Sequence, residues 1–142
     1  IRRQGKLWIV GFIADQVPLW NNIHLWLDFL HHDTPVFTGS ERIARKFDSD
    51  VYYLDIRRER RGYYLARFVL MAEHAASQPE GELTRSYFSH LEKSIRRQPA
   101  FYLWTHNRWK RTHEEYNIRY DEETGRVDMG DLDEIKRRKG IE

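Results

Sequence analysis

The sequence predicts an α/β fold in which a mixed central sheet is flanked by helices. Residues 6–14, KLWIVGFIA, form a short apolar run rich in β-branched and aromatic side chains, which is typical of a buried central strand. Two further strand-like runs, at 51–56 and 62–71, indicate an antiparallel pair joined by a charged connection. Residues 82–97 carry apolar side chains every four positions, which predicts a helix that ends before Pro99.

Composition and charge indicate a single domain with a packed core. The 142 residues are 40% hydrophobic and 14% aromatic, and the large rings compensate for the modest aliphatic content. Cysteine is absent, which excludes disulfides and thiolate metal ligands. The net charge is only +2, but basic clusters occupy 57–61, 96–97 and 108–111, and acidic clusters occupy 121–123 and 131–134. Such basic clusters attract phosphates, anionic lipid surfaces or acidic proteins.

Two segments before residue 40 remain ambiguous in sequence. Residues 19–30 fit both helical and strand spacing, so periodicity does not decide between them. Their aromatic side chains, including Trp20 and Trp26, fit either a core flap or a contact with acyl chains or a membrane interface. The neighbouring histidines in 31–33 have no further ligand at a suitable spacing, so solvated loop residues are a better interpretation than a zinc site.

Candidate binding residues follow the predicted first strand and precede the next helix. Asp15 and Gln16 stand where a central strand ends, the position at which open α/β sheets bind ligands, although a loop-capping role fits them equally. Residues 38–41, Thr-Gly-Ser-Glu, match the capping-box pattern that starts a helix. The free N–H groups of that helix terminus could bind an anion, and an ordinary capped helix is the alternative interpretation of the same residues.

Aromatic and basic residues are interleaved in the stretch 101–112, FYLWTHNRWKRT. A packed core needs the tryptophans and a solvated face needs the cations, so the mixture suits a surface that meets anionic, partly apolar molecules. We place the main domain at 1–112. The charge-rich tail, 113–142, predicts a hairpin around 121–125 and a short capped helix at 131–140.

Several catalytic signatures are missing from the 142 residues. The sequence contains neither a Gly-rich phosphate loop nor a G-x-S-x-G nucleophile elbow. None of the seven histidines is followed by Asp or Glu five positions later. No base–nucleophile arrangement, metal site or cofactor is therefore assigned within this chain.

Three segments resemble one family when they are taken together. FIADQVP at 12–18, FLHHDTPVFTGSERIARK at 29–46 and LEKSIRRQPAFYLWTHNRWKRT at 91–112 resemble the carboxy-terminal half of bacterial lipid A late acyltransferases, within the lysophospholipid acyltransferase superfamily. The resemblance implies transfer of a fatty acyl group from acyl carrier protein, or from acyl-CoA, to a hydroxyl of a lipid A precursor. It also implies an incomplete domain, whose catalytic His-x4-Asp/Glu motif lies upstream of residue 1.

The resemblance also implies where the substrate binds. Asp15, Gly39 and the terminal His-x-Arg-x-Lys pattern fall on family positions, whereas Asn107 stands where many relatives carry a second arginine. Arg108 is expected either to pair with a phosphate or to hold a structural carboxylate. The predicted substrate-binding residues are Asp15, Gln16, Thr38, Gly39, Arg42, His106, Arg108 and Lys110.

For the stretch 101–112, the resemblance implies that its aromatic side chains seat the last strand of the sheet. Its cations would then face a phosphorylated lipid acceptor, the acidic carrier protein or the anionic membrane surface. The implied location is the cytoplasmic face of the bacterial inner membrane, with any membrane anchor upstream.

Two other classes of function stay open. A nucleic-acid or anionic-surface binding module would also interleave cations with Tyr and Trp, but the net charge of +2 and the lack of an RNA-binding motif argue against nucleic acid. A catalytically idle relative that acts as a scaffold is the third interpretation. An upstream His-x4-acid motif would favour the enzyme over the scaffold.

Overall fold

The computed structural model describes residues 7–141, and within this range the chain is a mixture of helices and two-stranded antiparallel sheets. The α/β class is therefore confirmed. In chain order, the elements are β1 (Leu25–Phe29), β2 (His32–Val36), α1 (Gly39–Phe47), β3 (Val51–Arg60), β4 (Tyr63–Ala72), α2 (Glu82–Arg97), α3 (His113–Arg119), β5 (Tyr120–Asp121), β6 (Arg126–Val127) and α4 (Leu132–Lys139). Short 3₁₀ helices occupy Trp20–Asn22, Ala75–Ser77 and Pro99–Phe101.

The helix α2 confirms the prediction made from its apolar spacing. It ends at Arg97, and Pro99 opens the following 3₁₀ helix. Its buried Phe88 and Ile95 pack against the β1–β2 hairpin and form the main core cluster with Phe29 and Val36. The rings of Phe29 and Phe88 meet edge to face, with centroids 5.1 Å apart. The core therefore lies between this hairpin and α2.

The β1–β2 hairpin resolves the ambiguity of residues 19–30, which form a 3₁₀ turn followed by a strand. Phe29 pairs with His32, so Leu30 and His31 are the two turn residues, with φ of 54° and 65°. Positive φ at both central positions matches the twist of a two-residue hairpin. His31, His32 and Asp33 are exposed, as a solvated turn requires.

The β3–β4 hairpin also confirms its prediction; β3 extends further towards the turn than the predicted run 51–56, to Arg60, whereas β4 starts at Tyr63, close to the predicted start at residue 62. Gly62 adopts φ 79° in this turn. One face of the hairpin contacts α2, where the Tyr53 hydroxyl lies 3.0 Å from Ser94 Oγ. At the outer edge of β3, the Gln98 side chain accepts from the backbone N–H of Arg58 and donates to its carbonyl oxygen. These bonds fix the hairpin across the carboxyl end of α2.

Two predicted strands are absent, and these predictions were wrong. Residues 7–13 form no strand and are exposed, with Leu7 and Ile9 at 102% and 94%; Lys6 lies outside the described residues. A strand needs a neighbour for its N–H and C=O groups, and none of the strands described within 7–141 pairs with this segment. Within residues 7–141, three separate hairpins accordingly take the place of the predicted central sheet.

The stretch 101–112 is likewise not a strand. It continues from a 3₁₀ helix into successive turns, with backbone bonds from Trp104 N to Tyr102 O and from His106 N to Leu103 O. Its side chains explain this conformation. Arg108 points into the core, and the Trp109 indole N–H donates to Thr34 Oγ1 at 2.9 Å. A strand would send these two adjacent side chains to opposite faces. The turns instead allow both side chains to reach buried partners.

The tail consists of α3, the small β5–β6 hairpin and α4, and Glu142 lies outside the described residues. Asp131 caps α4 by accepting from the N–H groups of Asp133 and Glu134. The tail packs onto the rest of the chain where the rings of Trp26 and His113 stack, with centroids 4.3 Å apart. The division of the chain at residue 112 remains a prediction.

Candidate functional site

A buried arginine forms the centre of the candidate site. Arg108 is 3% exposed, and its Nη2 lies 3.3 Å from Oδ2 of Asp15, 93 residues earlier in the chain. Asp15 is 28% exposed, so the pair connects the protein interior with the surface. Ala14 and Pro18 are buried on either side of Asp15 and fix the segment that carries the carboxylate. The structure therefore brings together two residues that sequence singled out separately.

Aromatic rings surround the guanidinium of Arg108. Its Cζ lies 5.6 Å from the ring centroid of Phe29 and 5.5 Å from that of Tyr102, distances at which a cation is attracted to a ring. Burial raises the pKa of Tyr102 above its usual value, and burial together with the charge of Asp15 raises the pKa of Tyr87 still further. Both phenols are therefore neutral at physiological pH.

Two nitrogens of the Arg108 guanidinium make no hydrogen bond within the part of the chain that the structure describes. Nε and Nη1 of Arg108 are buried and have no hydrogen-bond partner among residues 7–141. A buried donor left unpaired costs about 1–3 kcal/mol, so a ligand oxygen that reaches these atoms would recover that energy. The planar fork of arginine suits carboxylate and phosphate oxygens. Asp15 fixes the orientation of the fork, so an oxyanion that reached Nε and Nη1 would meet donors already in place.

The remaining residues of the His-x-Arg-x-Lys pattern differ in environment. His106 is half-buried, and its Nε2 is buried without a hydrogen-bond partner in the range 7–141, whereas Lys110 is exposed. Arg111 stacks over the ring of Trp20 at 5.4 Å, and burial lowers its pKa. The cations of this stretch thus do not form one surface, because Arg108 points inward and Lys110 points to solvent. Gln16, beside Asp15, is also exposed.

The residues predicted around the start of α1 form no part of the arginine site. Among residues 7–141, no hydrogen bond or ion pair joins Thr38, Gly39 or Arg42 to Arg108 or Asp15. The side chain of Thr38 makes no cap bond, so the capping-box prediction was wrong. Arg42 is exposed.

Gly39 has a packing role in the structure. A Cβ at this position would lie 2.2 Å from Cζ of Phe37, so glycine leaves the space that this ring fills. Glu41, the second residue of the predicted capping box, is buried and caps α2 instead of α1.

A second feature that sequence did not reveal is an open groove of about 530 Å³ between β1 and α2. Leu27 and Phe88 supply its apolar lining, and three cations of α2 border it. The lining residues are Leu27, Asp28, Arg85, Phe88, Ser89, Glu92, Lys93 and Arg96. The spacing of the α2 residues is visible in sequence, but the strand that closes the groove is not.

No cluster of three or more His, Asp or Glu side chains in the range 7–141 is arranged to hold a metal ion. The helices described within that range include none that is both long and apolar enough to span a membrane.

Residues 7–141 thus form an α/β chain with a buried arginine that pairs with Asp15 and has two nitrogens without a partner in that range. The family model for bacterial lipid A biosynthesis acyltransferases matches residues 2–111, which is most of the chain. The chain belongs to this acyltransferase family. No curated protein and no solved structure shows significant similarity to it.

Proposed function

We propose that this chain is part of an acyltransferase that moves a fatty acyl group from acyl carrier protein, or from acyl-CoA, to a hydroxyl of a lipid A precursor. Membership of the family over residues 2–111 supports acyl transfer. The single observation that supports the binding role is the buried Arg108, whose Nε and Nη1 have no hydrogen-bond partner among the described residues. A phosphorylated lipid acceptor offers the oxyanion that these donors fit.

The reaction requires a base that this chain does not provide. The acceptor hydroxyl attacks the thioester carbonyl, an ester bond forms, and the donor thiol leaves with the proton that the base removed. None of the seven histidines is followed by an acid five positions later. We place the His-x4-Asp/Glu pair in polypeptide outside residues 1–142. The exposed apolar segment at 7–13 supports this, because its strand-like side chains find no cover among the described residues.

Each candidate residue has a distinct part in the proposal. Arg108 holds an oxygen of the acceptor phosphate, and Asp15 orients the guanidinium. Lys110 is exposed and attracts the acidic carrier protein or the anionic membrane surface. Gln16 and His106 flank this pair, whereas Thr38, Gly39 and Arg42 contact substrate only if it extends to the start of α1. The reaction as proposed needs no cofactor and takes place at the cytoplasmic face of the bacterial inner membrane.

The test uses the longer polypeptide that contains the His-x4-acid motif, assayed with acyl carrier protein thioester and a phosphorylated lipid A precursor. We expect Arg108→Lys to raise KM for the phosphorylated acceptor more than it lowers kcat, since lysine keeps the charge but lacks the fork. The matched control, Arg137→Lys, changes an exposed arginine of α4 and leaves both constants unchanged. Residues 1–142 alone should show no turnover.

Two outcomes would overturn the proposal. Turnover by residues 1–142 alone would remove the need for an outside base. An Arg108→Lys enzyme that matches the unsubstituted enzyme on phosphorylated and dephosphorylated acceptors would remove Arg108 from the site. Tight, salt-dependent binding of random oligonucleotide with no acyl transfer would instead favour the nucleic-acid binding alternative.

A further inference from the structure

One face of the β3–β4 hairpin is apolar and uncovered. We call it the hairpin face and define it by Tyr52, Leu54, Ile56, Phe68 and Leu70. These side chains are between 45% and 65% exposed. In the strand register, Tyr52 lies opposite Leu70 and Leu54 lies opposite Phe68, so the residues share one side of the ribbon. A continuous apolar surface of this kind on a small domain indicates an interaction site.

The other side of the same hairpin is already used. Tyr53 is buried next to Ser94, and Asp55 accepts from Arg97 of α2 at 2.6 Å. Because successive side chains of a strand alternate, the packing of Tyr53 and Asp55 on α2 turns the hairpin face away from the rest of the chain. The apolar side chains on that face therefore project into solvent.

Cations and tyrosines gather at one end of the hairpin face. Arg58, Arg60 and Arg61 stand at the tip of the ribbon, and Tyr63 and Tyr64 follow them with 54% and 64% exposure. The Arg60 guanidinium lies 3.6 Å from the ring centroid of Tyr63. The combination of an apolar surface with a rim of arginine and tyrosine is typical of proteins that lie in the membrane interface.

The apolar surface continues beyond the hairpin. The guanidinium of Arg58 lies 5.4 Å from the ring of Phe101, which is 55% exposed. Leu103 and Trp104 follow with exposures of 66% and 52%. The Gln98 side chain, bonded to the backbone of Arg58, holds this segment next to the hairpin. Tryptophan is enriched at bilayer interfaces, so Trp104 extends the same chemistry.

We propose that the hairpin face and its arginine tip dock onto the surface of an anionic lipid bilayer. The apolar side chains would enter the boundary between headgroups and acyl chains, while the tip arginines contact lipid phosphates. Charge complementarity selects this partner, because lipid phosphates supply counter-charge for the tip arginines, whereas a second copy docked through the same hairpin face would bring an equally arginine-rich hairpin. Nucleic acid fits less well, because the cations occupy only one end of the face.

This inference deepens the proposed function by naming the surface that meets the membrane, and it rests on that function only for the choice of lipid. The experiment measures co-sedimentation with vesicles of phosphatidylglycerol and phosphatidylethanolamine, compared with phosphatidylcholine vesicles. Neither vesicle contains acyl donor or acceptor, so the outcome is independent of acyl transfer. We expect binding to the anionic vesicles only, and weaker binding at 0.5 M than at 0.1 M salt, roughly as screening dictates.

Two pairs of variants separate the apolar and electrostatic contributions. Leu54→Ser with Phe68→Ser, and Arg60→Glu with Arg61→Glu, should each weaken binding to the anionic vesicles by at least about tenfold. The matched controls change exposed residues elsewhere, Ile43→Ser with Met129→Ser and Arg126→Glu with Arg137→Glu, and should bind like the unsubstituted chain.

Three results would overturn the proposal. The first is equal binding to both vesicle types or to neither, and the second is full binding by the hairpin-face variants. The third is a dimer of the unsubstituted chain that dissociates in the variant Leu54→Ser with Phe68→Ser. Such a result would show that a second copy, and not lipid, covers the hairpin face.

Discussion

The carboxylate of Glu41 accepts hydrogen bonds from the backbone N–H and the hydroxyl of Thr84, 43 residues further along the chain. Its other oxygen accepts from the N–H of Gly81 at 2.7 Å. Thr84 stands in the first turn of α2, where backbone N–H groups lack helical partners and the helix dipole favours an anion. A side chain of α1 therefore caps α2 and joins the two helices.

We predict that Glu41→Ala lowers the free energy of unfolding by about 2–3 kcal/mol, because the change leaves buried donors of α2 unpaired. Thr38→Ala is the matched control. The sequence pattern assigns the cap of α1 to Thr38, but its side chain makes no cap bond, so the loss should stay below about 0.5 kcal/mol. Urea unfolding measures the loss of unfolding free energy in both variants. A larger loss for Thr38→Ala than for Glu41→Ala would contradict the observed capping.

The Asp15–Arg108 pair should show strong energetic coupling. Arg108 is 3% exposed, so removing either partner leaves a poorly solvated charge. A double-mutant cycle with Asp15→Asn and Arg108→Met should give a coupling free energy of about 1–3 kcal/mol in unfolding experiments. The control cycle uses Glu92 and Arg96, a pair in α2 whose arginine is 53% exposed, and should give about 0.5 kcal/mol. Equal couplings in both cycles would mean that burial adds nothing to the Asp15–Arg108 interaction.

Asp55 should make stability depend on pH in the acid range. Hydrogen bonds from Arg97 hold the pKa of Asp55 below its usual value. A carboxylate with a lower pKa in the folded state stabilises the fold above the unfolded-state pKa, about 3.9, and this contribution is lost as the pH falls through the folded-state pKa. Since Arg97 is 38% exposed and water screens the pair, we expect at most about 1 kcal/mol.

The test for Asp55 compares the free energies of unfolding of the unsubstituted chain and of Asp55→Asn from about pH 6 to about pH 2, the range in which carboxyl groups titrate. The difference should be constant above about pH 5 and shrink below about pH 4. In an Arg97→Gln background the same comparison should be much less pH-dependent, because the main donor is gone. A difference that grows as the pH falls would have the wrong sign for this interaction.

The elements that were predicted correctly are those whose sequence pattern lies within the element itself. The helix α2 and the β3–β4 hairpin follow directly from apolar spacing and from turn residues such as Gly62. The run 7–13 has an equally strong strand pattern but forms no strand. Strand formation depends on a partner that the run itself does not encode, whereas a helix satisfies its hydrogen bonds internally.

The candidate site was predicted in its residues but not in its geometry. Asp15 and Arg108 were both singled out, yet nothing local indicates that residues 93 positions apart pair. Nor does the sequence show that Arg108 points inward while Lys110 faces solvent, since this depends on turns that place Trp109 against Thr34. The capping-box pattern assigned Glu41 to the start of α1, whereas its carboxylate caps α2, which comes 40 residues later and leaves no local signal at Glu41.

The hydrogen bond between Trp109 and Thr34 should be a main anchor of the turn that carries Arg108. Thr34 is fully buried, and its Oγ1 accepts from the indole N–H at 2.9 Å while donating to the carbonyl of His32 at 2.7 Å. Thr34→Val keeps the shape but leaves the indole N–H unpaired, so we expect a loss of about 1–3 kcal/mol of unfolding free energy. Thermal and urea unfolding measure this change.

Two further variants separate this hydrogen bond from the packing around it. In a Trp109→Phe background the indole donor is already absent, so Thr34→Val should cost clearly less than it does in the unsubstituted chain. Trp104→Phe is the matched control. Its indole N–H donates to the Pro99 carbonyl at 2.7 Å, but the side chain is 52% exposed and water replaces the partner, so the loss should stay below about 0.5 kcal/mol. An equal cost of Thr34→Val in both backgrounds would show that shape, and not this hydrogen bond, holds Trp109 in place.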